Sequence, residues 1–341
     1  MRNPLKALPV WALALITPLA LGAAAVAGGD SVKAPVNPPN FNDYKVIGYV
    51  PSWRGDLKSI QYDKLTHINY AFLEVGADAS LNPLDLAQLQ SVVGQAHAHG
   101  VKVLISVGGG SNSAVLGPVI VNAGTRKTLI GNLEAFVAAN QLDGADIDWE
   151  YPQKASDSQP YTELMTTLAK DLHAKGKLLT TATVGAAWAG DAISAEVLQA
   201  LDFMNIMAYD VPGEQHSSYA TAVTQLNYWL GRGLPKAKAV LGVPFYGYPT
   251  KGGRDTSASY RELVAANPAA AQSDRSDYQG GVSYNGIPTM RQKTQLAMQS
   301  GAGLMIWELT FDAPSSASLL SAIHETLTEP AQKPAPGHPQ N

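Results

Sequence analysis

Eight short, mainly apolar runs recur between residues 45 and 309, and most of them are rich in β-branched or aromatic residues. Near-continuous apolar runs of this length are typical of parallel strands buried on both faces. They span residues 45–51, 66–75, 101–109, 144–150, 178–185, 202–210, 239–248 and 303–309. We therefore predict eight parallel strands.

Stretches with helical spacing separate most of these runs. They predict helices over residues 83–99, 126–140 and 160–174, and a short helix after Ala192. Eight consecutive strand–helix units in one chain indicate the α/β class and a closed (β/α)8 TIM barrel. An open, doubly wound sheet is the alternative architecture.

The connection between the seventh and eighth strands, residues 248–288, is unusually long. Connections of this length are functional or mobile. Tyr260, Tyr278 and Tyr284 favour an ordered elaboration beside the barrel mouth over a mobile surface loop. The connection is too short for a full α+β insertion domain.

The first residues resemble an export signal. Arg2 and Lys6 precede an Ala- and Leu-rich apolar stretch, and Ala25-Val26-Ala27 fits a small-x-small cleavage site. An uncleaved membrane anchor is the alternative. The predicted organisation is a signal peptide at 1–27, a Gly- and Pro-rich linker at 28–40, the barrel at 41–328 and a Pro-rich tail at 329–341.

Composition excludes several classes of protein. The 341 residues carry a net charge of −4 without a basic run, so nucleic acid is not expected as a partner. The chain has no cysteine, which excludes disulfides and thiol catalysis. After signal cleavage no other segment is apolar for long enough to cross a membrane. We expect a monomer that is secreted or periplasmic.

Acidic residues alternate in the fourth run, at Asp146, Asp148 and Glu150. Alternate side chains of a strand share one face, so the three carboxyl groups should line one surface. Like charges this close cannot all ionise cheaply, and at least one pKa should be raised. Acid–base chemistry calls for such a group.

Three explanations of this acidic series compete. The Asp-x-Asp-x-Glu pattern supplies oxygen ligands for a metal, but it lacks the glycine that an EF-hand loop requires. Purely structural carboxylates would be costly to bury in alternation. Glycoside hydrolysis uses carboxyl groups whose environments separate their pKa values, and we favour it. We expect no metal and no cofactor.

Polar or aromatic residues that could form a site occur at or near the ends of seven of the eight predicted strands, and the fifth offers none that can be singled out. In a barrel of this kind the carboxyl ends of the strands form the active site. The residues are Tyr49, Trp53, Asn69, Ser106, Asp148, Glu150, Tyr209, Asp210, Tyr246 and Trp307. Flat aromatic rings stack on the C–H faces of sugars, so this set favours a carbohydrate substrate.

The acidic series extends to a longer motif that resembles glycoside hydrolase family 18, the chitinases and their relatives. Asp143, Asp146, Asp148 and Glu150 fill the four positions of D-x-x-D-x-D-x-E, and Trp-Glu-Tyr-Pro follows as in chitinases. Further matches occur in the expected order: Ser106, Gly108 and Gly109 in S-x-G-G; Met207, Tyr209 and Asp210 in M-x-Y-D; and Trp307 at the eighth strand. The resemblance covers residues 44–327.

The resemblance implies a substrate-assisted mechanism, in which the N-acetyl carbonyl of the substrate is the nucleophile. Glu150 would be the general acid, and Asp148 would orient the acetamide N–H. Asp146 would share a proton with Asp148 and hold it until Asp148 turns toward Glu150. Tyr209 would donate a hydrogen bond to the acetamide oxygen.

The resemblance and the strand-end positions also suggest the substrate contacts. They are Asp210, Trp307, Met207, Tyr49, Trp53, Tyr151 and Tyr246. Ser106, Gly108 and Gly109 belong to a structural motif. Asp143 has the wrong parity for the catalytic face, and we expect it to fix the start of the strand.

The expected activity is retaining hydrolysis of β-1,4-linked N-acetylglucosamine polymers, chitin or chitooligosaccharides. Since a full insertion domain is absent, we expect an endo-acting enzyme. One alternative is an endo-β-N-acetylglucosaminidase that acts on N-glycan cores or peptidoglycan. A non-catalytic carbohydrate-binding barrel is another, and the presence of Glu150 argues against it.

Overall fold

The structure is a computed structural model that describes residues 41, 44–54, 57–213, 215–251 and 256–329. The predicted signal peptide, the predicted linker and the tail from residue 330 onward lie outside the described residues. Within the described part, no helix has both the length and the apolar character needed to cross a membrane.

Eight parallel strands close into a barrel in which each strand pairs with the next one in the chain and the last pairs with the first. The predicted (β/α)8 barrel is confirmed, and the open sheet is excluded because no strand of the barrel is an edge. The strands are β1 Lys45–Pro51, β2 His67–Leu73, β3 Lys102–Gly108, β4 Gly144–Asp148, β5 Leu178–Thr183, β6 Phe203–Ile206, β7 Ala239–Pro244 and β12 Gly303–Trp307.

Helices cover the outside of the barrel, and the three long predicted helices correspond to α1, α3 and α4. The helices are α1 Leu86–Ala98, α2 Ser113–Val121, α3 Ala123–Ala139, α4 Ala155–His173, α5 Ala187–Gly190, α6 Ala195–Ala200, α7 Tyr219–Gly231, α8 Tyr260–Ala266, α9 Ile287–Ser300 and α10 Leu319–Thr328. Polar side chains that accept a first-turn N–H begin several of them: Asp85, Asn122, Ser194, Ser218, Ser259 and Ser318. Each such cap stabilises its helix by about 1 kcal/mol.

Alternation along the strands divides the apolar residues between two buried clusters. On β1, Val46 and Val50 belong to the larger cluster, which includes residues of the surrounding helices. Ile47 and Tyr49 belong to the second cluster, with Phe203 of β6 and other residues of the barrel strands. The period of two therefore directs the Tyr49 side chain into the barrel, where its hydroxyl donates to Asp146 of β4.

The connection after β7 has secondary structure of its own. Four short strands form an antiparallel sheet in the order β10-β11-β8-β9. They are β8 Tyr246–Pro249, β9 Ala258–Ser259, β10 Arg275–Ser276 and β11 Val282–Ser283, and α8 follows β9. Tyr260 and Tyr284 are fully buried. This connection is an ordered elaboration of modest size, built around two of the tyrosines that favoured order.

Seven of the eight barrel strands end one to four residues before their apolar runs. The fourth ends at Asp148 rather than at residue 150, the sixth at Ile206 rather than at 210, and the seventh at Pro244. At β4 the reason is visible, because the Glu150 N–H donates to the Ser113 hydroxyl at 2.8 Å rather than continuing the ladder. Several site residues therefore lie on loops just beyond the strands.

Candidate active site

Asp146 is fully buried inside the barrel and accepts four hydrogen bonds. Its Oδ2 accepts from Tyr49 Oη at 2.7 Å and from Ser106 Oγ at 2.8 Å. Its Oδ1 accepts from Thr180 Oγ1 at 2.5 Å and from Asn205 Nδ2 at 3.2 Å. Burial raises the pKa of Asp146, while these four donors act in the opposite direction because they stabilise the carboxylate.

Asp148 lies two residues farther along β4 and has a different environment. It is 3% exposed, and its Oδ1 has no hydrogen-bond partner among the described residues. Burial, then the charge of Glu150 and then that of Asp146 raise the pKa of Asp148 well above its usual range. A raised pKa agrees with the spacing of the acids, but burial is a larger cause than the like charges.

No hydrogen bond joins the carboxyl groups of Asp146 and Asp148 in this part of the structure. A shared hydrogen bond was expected from the family resemblance. Four donors already occupy the acceptor positions that a carboxylate offers, so Asp146 has no free lone pair facing its neighbour. Burial raises the pKa of both acids, and that of Asp148 well above its usual range. The sharing of a proton between them stays a prediction.

Glu150 lies just beyond β4, where the barrel opens. Burial raises the pKa of Glu150, a hydrogen bond from the Tyr151 hydroxyl lowers it, and the charge of Asp210 raises it again. The raised pKa keeps Glu150 protonated to a higher pH than an exposed glutamate. A protonated carboxylic acid at the edge of a cleft is suited to general acid catalysis.

Gly108 and Gly109 allow the end of β3 and the loop after it to pass close to the backbone of Asp148. Both have positive φ, +103° and +76°. A Cβ on Gly108 would lie 2.5 Å from the carbonyl oxygen of Asp148, and one on Gly109 would lie 2.5 Å from the Phe72 ring. The S-x-G-G motif thus has a structural role, as expected, but Ser106 also donates to Asp146.

The loop after β6 carries a second group of polar residues. Tyr246 Oη donates to Asp210 Oδ1 at 2.6 Å, and His216 Nδ1 lies 3.1 Å from the same oxygen. Tyr209 packs edge-on against Tyr246 with ring centroids 6.3 Å apart. Burial raises the pKa of Tyr209, so that its hydroxyl remains a neutral donor.

Trp307, at the end of β12, is the centre of an aromatic cluster. Its ring stacks on Phe72 at a centroid distance of 5.5 Å and an interplanar angle of 19°. Tyr49 contacts it at 5.4 Å, and Trp53 in turn packs against Phe72 at 6.1 Å. Trp53 is 58% exposed, so this aromatic surface continues from the barrel interior to the protein surface.

These groups enclose a cleft of about 310 Å³ at the carboxyl end of the barrel. It is lined by Tyr49, Trp53, Phe72, Gly110, Ser111, Asp148, Glu150, Tyr151, Met207, Tyr209, Asp210, Tyr246 and Trp307. Every residue that the sequence suggests as a substrate contact lies in this lining, whereas Asp146 lies beneath it.

Comparison with known protein families matches the part of the chain that contains these residues. The model of glycosyl hydrolases family 18 matches residues 45–312. The chain belongs to this family. A solved family 18 chitinase from the chitin utilization locus of Flavobacterium johnsoniae is 32% identical, with a TM-score of 0.76 over 84% of this chain and 94% of that one.

Two curated relatives are similar over part of their length. A chitinase-like effector of Moniliophthora roreri is 28% identical over 250 residues, 62% of this chain and 60% of the effector. Chitinase A1 of Niallia circulans is 26% identical over 298 residues, 60% of this chain and 43% of that protein. The chain thus spans 43% to 60% of the length of these two relatives.

Asp143, the first acid of the family 18 motif, lies at the opposite end of β4 from the cleft. Its Oδ2 accepts from Val103 N at 2.8 Å and lies 2.8 Å from His97 Nε2. The carboxylate thereby links the starts of two neighbouring strands, which agrees with the role expected from its parity. Among the described residues, no cluster of three or more His, Asp or Glu side chains is arranged to hold a metal.

Sequence reasoning missed several residues of this family 18 site. Thr180 and Asn205, which donate to Asp146, lie on strands inside the barrel, and their inward parity is the signal that identifies them. Trp188 follows the fifth strand, which offered no candidate; it is 56% exposed and packs edge-on against Tyr151 at 5.0 Å. His216 is six residues beyond Asp210, and no local pattern marks it.

Proposed function

We propose that the protein is a chitinase that hydrolyses β-1,4-linked N-acetylglucosamine polymers with retention of configuration. The observation that carries this proposal is the pairing of a cleft-lining acid, Glu150, with a buried neighbour, Asp148, whose pKa burial raises well above its usual range. A protonated carboxyl group is a poor nucleophile, so the acid in the position of a second catalytic carboxylate is unsuited to attack the sugar. The acetamide of the substrate supplies the nucleophile instead.

Bond cleavage begins with Glu150. Its proton passes to the glycosidic oxygen as that oxygen leaves the anomeric carbon, and the acetamide carbonyl oxygen bonds to the same carbon from the opposite face. The product is an oxazolinium ion. The Glu150 carboxylate then takes a proton from the water that attacks the anomeric carbon, which restores the acid and releases the retained sugar.

Asp148 supports both halves of this reaction. With its proton in place, it can donate to the Glu150 carboxylate that forms once the acid is spent, and its other oxygen can accept from the acetamide N–H. We assign the charged form to Asp146, because four donors stabilise its carboxylate, and in that form it stabilises the positive charge of the oxazolinium. This assignment places the shared proton of the pair on Asp148 rather than on Asp146.

The remaining lining residues bind the sugar. Trp307 forms an apolar floor for the ring whose bond is cleaved, and Tyr209 donates to the acetamide oxygen. Asp210 is held by Tyr246 and His216 and contacts sugar hydroxyls nearby. The modest size of the connection after β7 supports a groove that is open on one side, and we propose endo action.

Product analysis by mass spectrometry tests this function. Purified enzyme is incubated in parallel with chitin hexasaccharide, the fully deacetylated hexasaccharide, peptidoglycan and an N-glycoprotein, with the Glu150→Gln variant as the control for contaminating activity. We expect cleavage of the acetylated chitin oligomer alone. Cleavage of the deacetylated oligomer would contradict the acetamide nucleophile, and cleavage only of the glycoprotein or peptidoglycan would move the enzyme to a different substrate.

Export is proposed from residues 1–27. N-terminal sequencing of the protein released by the producing cell tests it, and we expect a mature chain that starts at Gly28. Recovery of a protein that still carries Met1 in the membrane fraction would support an anchor instead.

A further inference from the structure

Lys293, in the middle of α9, is fully buried, although lysine is among the residues least often found in that state. Its Nζ donates to Ser217 O at 2.7 Å, to Ser217 Oγ at 2.7 Å and to Asn285 Oδ1 at 2.6 Å. These three acceptors match the three N–H groups of an ammonium. Burial lowers the pKa of Lys293 to about 7, against the opposing charge of Asp274.

The three bonds join two segments that are distant in the chain. Ser217 belongs to the loop after β6, and Asn285 ends the elaboration after β7. Asn285 Nδ2 also donates to Ser217 O at 2.9 Å, and Gln215 Nε2 donates to Tyr284 O at 2.7 Å. Lys293 is therefore the centre of a buried contact between residues 215–217 and residues 284–285.

Residues 215–217 in turn touch the backbone and side chains of the site. Ser217 Oγ donates to Ala208 O at 2.8 Å, which is the carbonyl group directly before Tyr209. His216, next to Ser217, places Nδ1 3.1 Å from Asp210 Oδ1. The His216 ring also packs on Tyr246 at a centroid distance of 5.2 Å.

We propose that Lys293 is a positioning residue for the reaction: through Ser217 it fixes the loop that carries Tyr209 and Asp210. This inference rests on the proposed chitinase function. Because Lys293 is fully buried, it does not reach the cleft and acts only through the loop. Misplacement of a positioned group by about 1 Å is sufficient to lower turnover about 100-fold.

Steady-state kinetics on chitin tetrasaccharide test the proposal with Lys293→Met, which keeps the side-chain length and removes all three donors. We expect kcat to fall between about 10- and 100-fold with a smaller change in KM, because Tyr209 acts on the acetamide mainly in the transition state. Lys293→Gln retains two N–H donors and should recover part of kcat. Ser217→Ala removes the bridging hydroxyl and should show most of the expected fall in kcat. It tests the proposal independently if the Lys293 variants do not fold.

Thr294→Val is the matched control. Thr294 is equally buried on the same helix, but its hydroxyl donates to Met290 O within that helix. We expect a lower Tm with unchanged kcat and KM. The proposal is overturned if folded Lys293→Met or Ser217→Ala keeps the wild-type kcat, or if Thr294→Val loses kcat to the same extent. A wild-type enzyme that leaves the tetrasaccharide intact would instead refute the proposed function.

Discussion

Asp146 and Asp148 are two residues apart on the same strand and are both buried, yet they differ in the number of hydrogen bonds that their carboxyl groups accept. Asp146 accepts four hydrogen bonds, whereas Oδ1 of Asp148 has no partner among the described residues. Donors stabilise a carboxylate, and burial without donors stabilises the protonated acid. Burial raises the pKa of both acids, but the four donors to Asp146 oppose the effect there, whereas the pKa of Asp148 is raised well above its usual range.

Removing one donor to Asp146 should shift the acidic limb of the pH–rate profile. In Thr180→Val the carboxylate loses its 2.5 Å bond, so the pKa of Asp146 rises. Because the reaction requires Asp146 charged, activity should begin at a higher pH, by about one pH unit for a bond worth about 1.5 kcal/mol. The measurement is kcat/KM of a chitin oligomer as a function of pH.

Thr181→Val is the matched control for this change. Thr181 is the next residue on β5 and is equally buried, but its hydroxyl donates to the Ile147 carbonyl at 2.6 Å. The Thr181→Val variant should be less stable, but the acidic limb of its pH–rate profile should not shift. Equal shifts in both variants would show that Thr180 does not act through Asp146.

The general acid can be tested by Glu150→Gln, which keeps the shape of the side chain and removes the transferable proton. We expect kcat to fall by about three orders of magnitude, with KM nearly unchanged, because a positioned acid acts in the transition state. Glu74→Gln is the control, since Glu74 accepts from Ser111 Oγ at 3.3 Å and does not line the cleft. Near-normal turnover of a natural chitin oligomer by Glu150→Gln would show that Glu150 is not the general acid.

The barrel could be predicted from the sequence because apolar strand-like runs recur eight times along the chain. The acidic series and most of the cleft lining followed from strand parity, from the carboxyl ends of the strands and from the family motifs, but Phe72, Gly110 and Ser111 did not. Thr180 and Asn205 obey the same parity, but isolated Thr and Asn residues are too common to single out. The spacing of the acids also predicted a raised pKa, although it does not reveal burial, which is the larger cause.

Other features depend on contacts between distant parts of the chain. Lys293 bonds Ser217 across 76 residues, and no local pattern reports such a contact. Trp188 follows the fifth strand, for which the sequence singles out no site residue, and its approach to Tyr151 depends on the path of the next loop. The end of β4 was predicted too late for a similar reason, because a hydrogen bond from Glu150 N–H to Ser113, rather than a loss of apolar character, ends the strand.

Trp188 and Tyr151 should form a binding surface for sugars beyond the cleavage point. Trp188→Ala should raise KM for chitin hexasaccharide about five-fold, which corresponds to about 1 kcal/mol of lost ring contact. A disaccharide with a chromogenic leaving group is too short to reach Trp188 and should keep its KM. Equal KM values of wild type and variant on the hexasaccharide would show that Trp188 does not contact the substrate.

The basic limb of the pH–rate profile should depend on Asp210. The charge of Asp210 raises the pKa of Glu150, so Asp210→Asn lowers it. Since Glu150 must be protonated to donate, activity in Asp210→Asn should decline at a lower pH than in the wild type. Asp191→Asn removes an exposed carboxylate that pairs with Arg232, and its basic limb should stay in place. A basic limb that is unmoved in Asp210→Asn would mean that the charge of Asp210 does not reach the acid, and that Asp210 serves the reaction only through the sugar.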